Sequence, residues 1–334
     1  MAIFILFVSA CGNGSEDPVT ITLVTHDSFT LSKATLSAFT DETGIVVEQL
    51  QSGDAGQLVS EAILTSGNPV GDVLFGIDNS FLQRGLDANL FLAYESPLLD
   101  QVPDEFELDA QHRVTPIDYG DVCANYWTAA FEDSAVPSSL DDLIDPAFRD
   151  SFVTENPETS SPGLAFLLAT IARYGEDGWE QYWSALRDNG LSVTSGWEDA
   201  YYGEFIAGGG DRSIVMSYAS SPAVGVLYSD PPVDTPPTGV LFDSCFRQIE
   251  FAGILAGTSE VDAAQQLIDF MLGTTFQEDL PLNMFVYPVN QNAVLPEVFL
   301  EHAQLSDNPL LLDWETIGKN RDTWTDRWVE LVLR

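Results

Sequence analysis

Residues 19–90, VTITLVTHDSFTLSKATLSAFTDETGIVVEQLQSGDAGQLVSEAILTSGNPVGDVLFGIDNSFLQRGLDANL, alternate between two kinds of hydrophobic pattern. Val19–Thr25 is β-branched and bounded by Pro18 and Asp27, which predicts a strand, and 32–40 reads as the helix that follows. Residues 45–50 form a second such run, and Asp54 stands at the start of the helical pattern 55–64. Asp72–Asp78 is a third strand leading into a helical stretch over 79–90. Strands alternating with helices predict α/β units with a parallel sheet. In open sheets of this kind ligands collect beyond the carboxyl ends of the strands, where His26-Asp27, Gly53-Asp54 and Asp78-Asn79 stand.

Working outward, residues 93–112 read as loop and 114–127 as one long extended segment. Residues 132–150 are acidic, with a short helix expected at 140–144. Ser160-Ser161-Pro162-Gly163 precedes the apolar run 164–172. A serine followed by proline is a common way to start a helix, and that end also offers free N–H groups to a hydroxyl or phosphate. Gly208-Gly209-Gly210 turns the chain into a strand over 213–218, and 230–239 is a proline-rich surface loop. A second extended segment follows over 241–255, then helices near 260–272 and 275–280. In 318–334, Trp324, Trp328, Leu331 and Val332 share one helical face, as expected of a helix docked on a core.

The chain has 334 residues, long enough for about two domains, and 45% hydrophobic residues, ample for globular folding. Its formal charge is −40, from 52 acidic against 12 basic residues. That argues against nucleic acid and anionic lipid surfaces as partners, because phosphate contacts need Lys and Arg. Such a field would draw cations in, and it equally suits a protein adapted to salty surroundings.

The N-terminus, MAIFILFVSACGNGSEDP, is too short an apolar run to span a membrane and resembles the end of a secretory signal. Val8-Ser9-Ala10-Cys11 resembles a lipobox, although no basic residue precedes the run; a coincidental signal end is the alternative. Lipidation at Cys11 would leave residues 12–18 as a tether and 1–18 as leader and linker. Cys123 and Cys245 then remain as a pair, either a disulfide in an oxidising compartment or two buried thiols. Each lies on or beside one of the two extended segments. We therefore expect the chain to leave its first domain on one segment and return on the other, with a disulfide pinning them near a hinge. The expected boundaries are 19–118 with 248–334 for the first lobe and 119–247 for the second.

The stretch with most chemistry is 196–223, GWEDAYYGEFIAGGGDRSIVMSYASSPA. Trp197, Tyr201, Tyr202 and Tyr218 supply ring faces, Glu198, Asp199 and Glu204 charge, and Ser217, Ser220 and Ser221 short hydrogen-bonding arms. Such a wall suits a flat organic cation, which aromatic faces attract. The alternative is that Trp197, Tyr201 and Phe205, spaced by four, form one buried helix face. His26, His112 and His302 lie far apart and share no metal-ligand spacing with the cysteines. No nucleophile elbow, P-loop or dinucleotide fingerprint occurs in its required context. An enzyme, a cofactor and a resident metal are therefore not expected; a secreted enzyme would need an acid–base set that the sequence does not display.

From Val19 onward the chain resembles the thiamine-binding substrate-capture proteins of bacterial ABC importers. The resemblance runs through HDSF (26–29), GDVLFGIDN (71–79), PIDYG (116–120), TSSPGL (159–164), TSGWEDAY (194–201), MSYASSPA (216–223) and YPVN (287–290). It implies a two-lobed α/β type II periplasmic-binding-protein fold with two hinge crossovers. A monomer of this kind closes on thiamine or its phosphates and delivers it to a membrane permease. Carried over by position, the family's pocket falls on Asp54 and Ala55, Ser160 and Ser161, Trp197, and Tyr218, Ala219, Ser220 and Ser221. His26, Asp27, Tyr201, Phe285 and Tyr287 complete the expected site, with Asp27 or Asp54 offsetting the thiazolium charge.

Departures from the family are His26 where its best-known members have tyrosine, Phe285 where they have tryptophan, and Val224 where they have tyrosine. These predict weaker stacking or a ligand of different shape. Few Lys or Arg lie near the pocket segments, which argues against strong phosphate preference. The competing expectation on the same fold is a ferric-iron carrier, because Tyr201-Tyr202 resembles a pair of adjacent iron-ligating tyrosines.

Overall fold

The computed structural model describes residues 18–132 and 134–334. Cys11 and its expected lipidation lie outside the described residues. Strand β1 (Thr20–Thr25) leads to helix α1 (Lys33–Thr43), β2 (Val46–Gln51), α2 (Ala55–Leu64), β3 (Val73–Asp78), α3 (Leu82–Asp87) and the short β4 (Phe91–Leu92). The long strand β5 (Thr115–Trp127) opens the next stretch. It is followed by β6 (Phe152–Glu155), α4 (Ser161–Tyr174), α5 (Trp179–Asp188), β7 (Ser192–Thr194), β8 (Ile214–Tyr218) and α6 (Ser221–Tyr228). Strand β9 (Thr238–Leu255) returns, and α7 (Val261–Leu272), α8 (Thr274–Gln277), α9 (Leu280–Asn283), β10 (Tyr287–Pro288), α10 (Glu297–His302) and α11 (Trp314–Val332) end the chain.

The main sheet order is β2-β1-β3-β9-β5-β8-β6-β7. Pairs β1–β2 and β1–β3 are parallel, as are β6–β7 and β6–β8. Between these two parallel halves run β5 and β9, antiparallel to each other and to their outer neighbours. Strand β3 pairs with β9 only from Glu250 to Ile254, and β8 pairs with β5 only from Val122 to Tyr126. One end of the central pair thus belongs to each half, and the fold is a two-lobed α/β one.

Most expected elements form, with differences that have local causes. The helix expected over 79–90 is cut to Leu82–Asp87. The Asp78 carboxylate accepts from Ser80 N at 2.8 Å and Phe81 N at 3.1 Å, turning the chain before the helix starts, and Asn89 at φ 51° ends it. Strand β9 begins at Thr238, inside the expected proline-rich loop, because Thr238–Leu241 pairs with Ala124–Trp127. Between Leu241 and Phe246 the ladder is interrupted, and in that detour Ser244 Oγ accepts from Ala124 N at 2.8 Å. The detour brings Cys245 onto Cys123, and the two form a disulfide.

Helix α4 is buried continuously from Ser161 to Ile171, which explains its apolar run. Gly163 permits this: a Cβ there would lie 2.4 Å from Glu155 O. In α11, Trp324 and Trp328 are buried as expected. Trp328 meets Trp183 of α5 edge to face at 5.3 Å, while Arg321 lies 4.5 Å over the Phe81 ring beside α3. The C-terminal helix therefore touches both halves.

Candidate functional site

The carboxyl ends of β1, β7 and β8 and the N-termini of α2, α4 and α6 converge on one cleft of about 880 Å³, open mouth included. That size suits a small organic ligand. Its lining includes His26, Asp54, Ala55, Ser161, Trp197, Tyr201, Tyr218, Ser220, Ser221 and Phe285, all expected from sequence. Among the described residues lining it, none is Lys or Arg, whereas Asp54, Glu198 and Glu250 bring three carboxyl groups.

The aromatic wall is built by one short segment. Residues Asp199–Glu204 form a π-helical turn that keeps Trp197 and Tyr201 on one side. Their rings stack at 5.0 Å and 22°, and Trp197 Nε1 donates to Ser217 Oγ at 3.0 Å. Tyr202 packs on Trp197 at 79° and Tyr218 at 67°. Tyr201 and Phe205 are buried in a small core with Val153 and Val215. The inner rings are core, as the buried-face reading of the four-residue spacing has it, and they support the rings that face the cleft.

Asp54 joins the two halves. Its Oδ1 accepts from Ala55 N at 2.6 Å and from Ser161 N at 3.4 Å, and its Oδ2 from Trp197 N at 3.1 Å. Burial pushes its carboxyl up to about 6, although these donors favour the charged form. Nearby, Gly56 N donates to Thr159 O at 3.0 Å, and Ser220 Oγ donates to Phe285 O at 2.5 Å. The halves therefore meet on both sides of the cleft.

The expected capping of α4 by Ser160 is not made: its hydroxyl accepts no bond from the helix. Among the described residues neither the Ser160 nor the Ser161 hydroxyl has a hydrogen bond of normal geometry, although Ser160 lies beside the Asp54 carboxyl and favours its charged form; the carboxylate reaching that helix end is Asp54. Ser160 sits behind the lining rather than in it. Three other expected residues lie off the cleft. Asp27 is exposed. Ala219 packs beside the disulfide. Tyr287 is paired with Tyr119 through β10 and lies between the Tyr119 and Phe299 rings, at 5.6 and 5.5 Å. The lining in its neighbourhood comes from Met284, Phe285 and Val286.

His26 is held by space made for it. A Cβ on Gly76, whose φ is 103°, would lie 2.4 Å from His26 Cδ2. Burial lowers the imidazole to about 4, so it is neutral at physiological pH. Its Nε2 lies 3.7 Å from Glu250 Oε1. Sequence reasoning missed Glu250, which sits mid-strand in an apolar run with no local signal, and Ser28, Thr30 and Asn283 as cleft residues, whereas Glu198 and Tyr202, read as part of the ring-and-charge wall, do line it.

A family model described as bacterial extracellular solute-binding protein matches residues 68–320. The chain belongs to that family. The thiamine-binding periplasmic protein of Escherichia coli (strain K12) is 28% identical over 323 residues, covering 94% of each chain. The protein of that name from Brucella suis is 26% identical over 327 residues, covering 94% of this chain and 92% of its own. The solved structure of a periplasmic thiamin binding protein superposes with a TM-score of 0.84 at 26% identity, over 96% of this chain and 98% of that one. Iron-bound HitA from Pseudomonas aeruginosa shares the fold, with a TM-score of 0.78 at 20% identity over 94% of this chain and 99% of its own.

Proposed function

We propose that this chain is the extracytoplasmic solute-binding component of an ABC importer that captures thiamine between two lobes and presents it to a membrane permease. The observation that carries this reading is the cleft itself: stacked Trp197 and Tyr201, with Tyr202 and Tyr218 edge-on against Trp197, and three carboxyl groups with no Lys or Arg among the described lining residues. A thiazolium joined to an aminopyrimidine is a flat cation of the kind such a wall attracts. Relatives with thiamine binding in their names at 25–28% identity support the same ligand. The cleft's charge favours thiamine over its phosphates.

In this reading the lobes are 19–118 with 248–334 and 119–247, and β5 and β9 carry the two crossings. The switch of partners along β5 and β9 supports these bounds. Closure would be stabilised by contacts that exist only when the lobes meet. His26, Asp54, Ala55, Ser161, Trp197, Tyr201, Tyr218, Ser220, Ser221 and Phe285 would hold the ligand. The protein would act as a monomer, exported and tethered through lipidated Cys11. Binding without turnover is the expected behaviour.

The ferric reading is less favoured by the site. Tyr201 is committed to stacking on Trp197 at 5.0 Å, and Tyr202 packs edge-on against both rings, so the adjacent phenols are used as an aromatic wall. Calorimetric titration of residues 12–334 with thiamine tests the proposal. One-to-one saturable binding is expected; no heat with thiamine, together with a tyrosinate charge-transfer colour on adding ferric iron, would move the function to metal capture.

A further inference from the structure

Asp118 and Glu250 are opposite each other across the β5–β9 ladder, where the central strands pass under the cleft. Asp118 is fully buried, and among the described residues neither of its carboxyl oxygens has a hydrogen-bond donor. Glu250 is 5% exposed and reaches the cleft floor. Two acceptor-only groups facing each other without a donor repel unless they hold a proton between them.

The other polar groups around the pair do not supply one. Asp78 on β3 already accepts from Ser80, Phe81 and Gln248 Nε2. Asp54 at α2 takes its donors from Ala55, Ser161 and Trp197. Tyr218 on β8 holds its phenolic proton, raised by burial and by the surrounding carboxylates. His26 at the end of β1 is neutral, and its Nε2, 8% exposed as a residue and unpartnered, points at Glu250 from 3.7 Å.

Resting on the thiamine reading, we propose that Glu250 is the counter-ion of the bound cation, and that the cation enters in exchange for the proton that Asp118 and Glu250 share in the empty cleft. The exchange balances: ligand cation plus singly protonated pair gives ligand paired with two carboxylates, plus one proton released to solvent. The charge of the cleft is the same before and after, so closure never buries a naked pair of carboxylates or an unneutralised cation. Burial raises both groups, Asp118 to about 7 and Glu250 well above the usual carboxylate range, with Asp118 and Asp78 adding repulsion at Glu250. The shared proton is therefore present near neutrality and removable by a cation.

The test is calorimetric titration with thiamine in phosphate and in Tris, between about pH 6.5 and about pH 8.5, the range bracketing the shared proton. Different heats in the two buffers, corresponding to up to about one proton released per thiamine, are expected at the acid end, with affinity rising as pH rises. Asp118→Asn gives Glu250 an amide donor in place of the shared proton and should abolish the release, so that the heats in the two buffers coincide at every pH where thiamine binds. Glu250→Gln should weaken thiamine at least about tenfold.

A second readout needs no ligand. The infrared band of a protonated carboxyl should be present in the empty wild type near neutral pH and reduced in Glu250→Gln, the difference spectrum cancelling the buried Glu155. Equal heats in both buffers with binding intact, or no change in that band, would overturn the exchange while leaving the thiamine reading standing. No thiamine binding at any pH would overturn the ligand, and the exchange with it.

Discussion

The two walls of the cleft are made differently. The wall from 197–221 is aromatic and nearly continuous in sequence, with Trp197, Tyr201, Tyr202, Tyr218, Ser220 and Ser221 falling within 25 positions. The opposite wall is assembled from the ends of separate elements, His26, Asp54, Glu250 and Phe285, and its chemistry is acidic. Rings packed on one another can be encoded by one turn and a strand. A carboxyl group kept dry needs walls from several elements. The first wall is therefore where contact area resides, with Glu198 as its one lining carboxyl group, and the second is where the buried, pH-sensitive charge resides.

The largest expected effect concerns what both walls share. Cys123 and Cys245, 122 positions apart, close a loop whose cross-link is worth on the order of 4 to 5 kcal/mol in the chain-entropy picture. Cys245→Ser should lower the melting temperature under oxidising but not reducing conditions, with thiamine affinity of the folded protein little changed. A fall in affinity as large as the fall in stability would show that the disulfide holds one wall rather than the frame.

Next comes the acidic wall. Asp54 rises from 3.8 to about 6 on folding, so the stability it contributes is complete below its unfolded value and is lost as pH rises through about 6. Across about pH 4 to 7 this amounts to on the order of 3 kcal/mol. Asp54→Asn should remove that loss, so the variant should gain on the wild type as pH rises in denaturant titrations. Parallel pH profiles for the two proteins would contradict the burial argument.

Trp197→Ala tests the aromatic wall and should cost thiamine affinity about 1–3 kcal/mol with no added pH dependence. If its effect varied with pH as strongly as that of Asp54→Asn, the division of labour between the walls would fail. The smallest effect is expected at Ser160→Ala. The buried hydroxyl caps no helix N–H and only lies beside the Asp54 carboxyl, so the variant should be neutral within about 1 kcal/mol in melting experiments, whereas a true cap would cost about that much or more.

Much of this was legible because local patterns carry it. Residues 19–78 announce three strands and two helices, and Asp54 is visible as a helix-starting carboxylate after a strand. Its second role, at the start of α4 and at Trp197 N, is a contact 107 and 143 positions away and leaves no local trace. Ser160 illustrates the converse: the sequence carries the right cap for α4, but another carboxylate reaches the helix end. Glu250 lies in FRQIEFAGIL, where the pattern reads only as buried strand, and its partner Asp118 is set by register across the sheet. Tyr287 was placed at the cleft by position along the family's motif, while the pairing of β10 with β5 turns it toward Tyr119.

Of the seven tryptophans, Trp179, Trp183, Trp324 and Trp328 are buried in the region where α5 and α11 pack, and Trp197 is the one in the cleft lining. The emission of the protein is thus a large steady background carrying one responsive chromophore already stacked on a phenol ring. A cation sliding against that indole should change only a small part of the total light, so replacing Trp197 by phenylalanine would silence the optical signal of binding while barely dimming the protein.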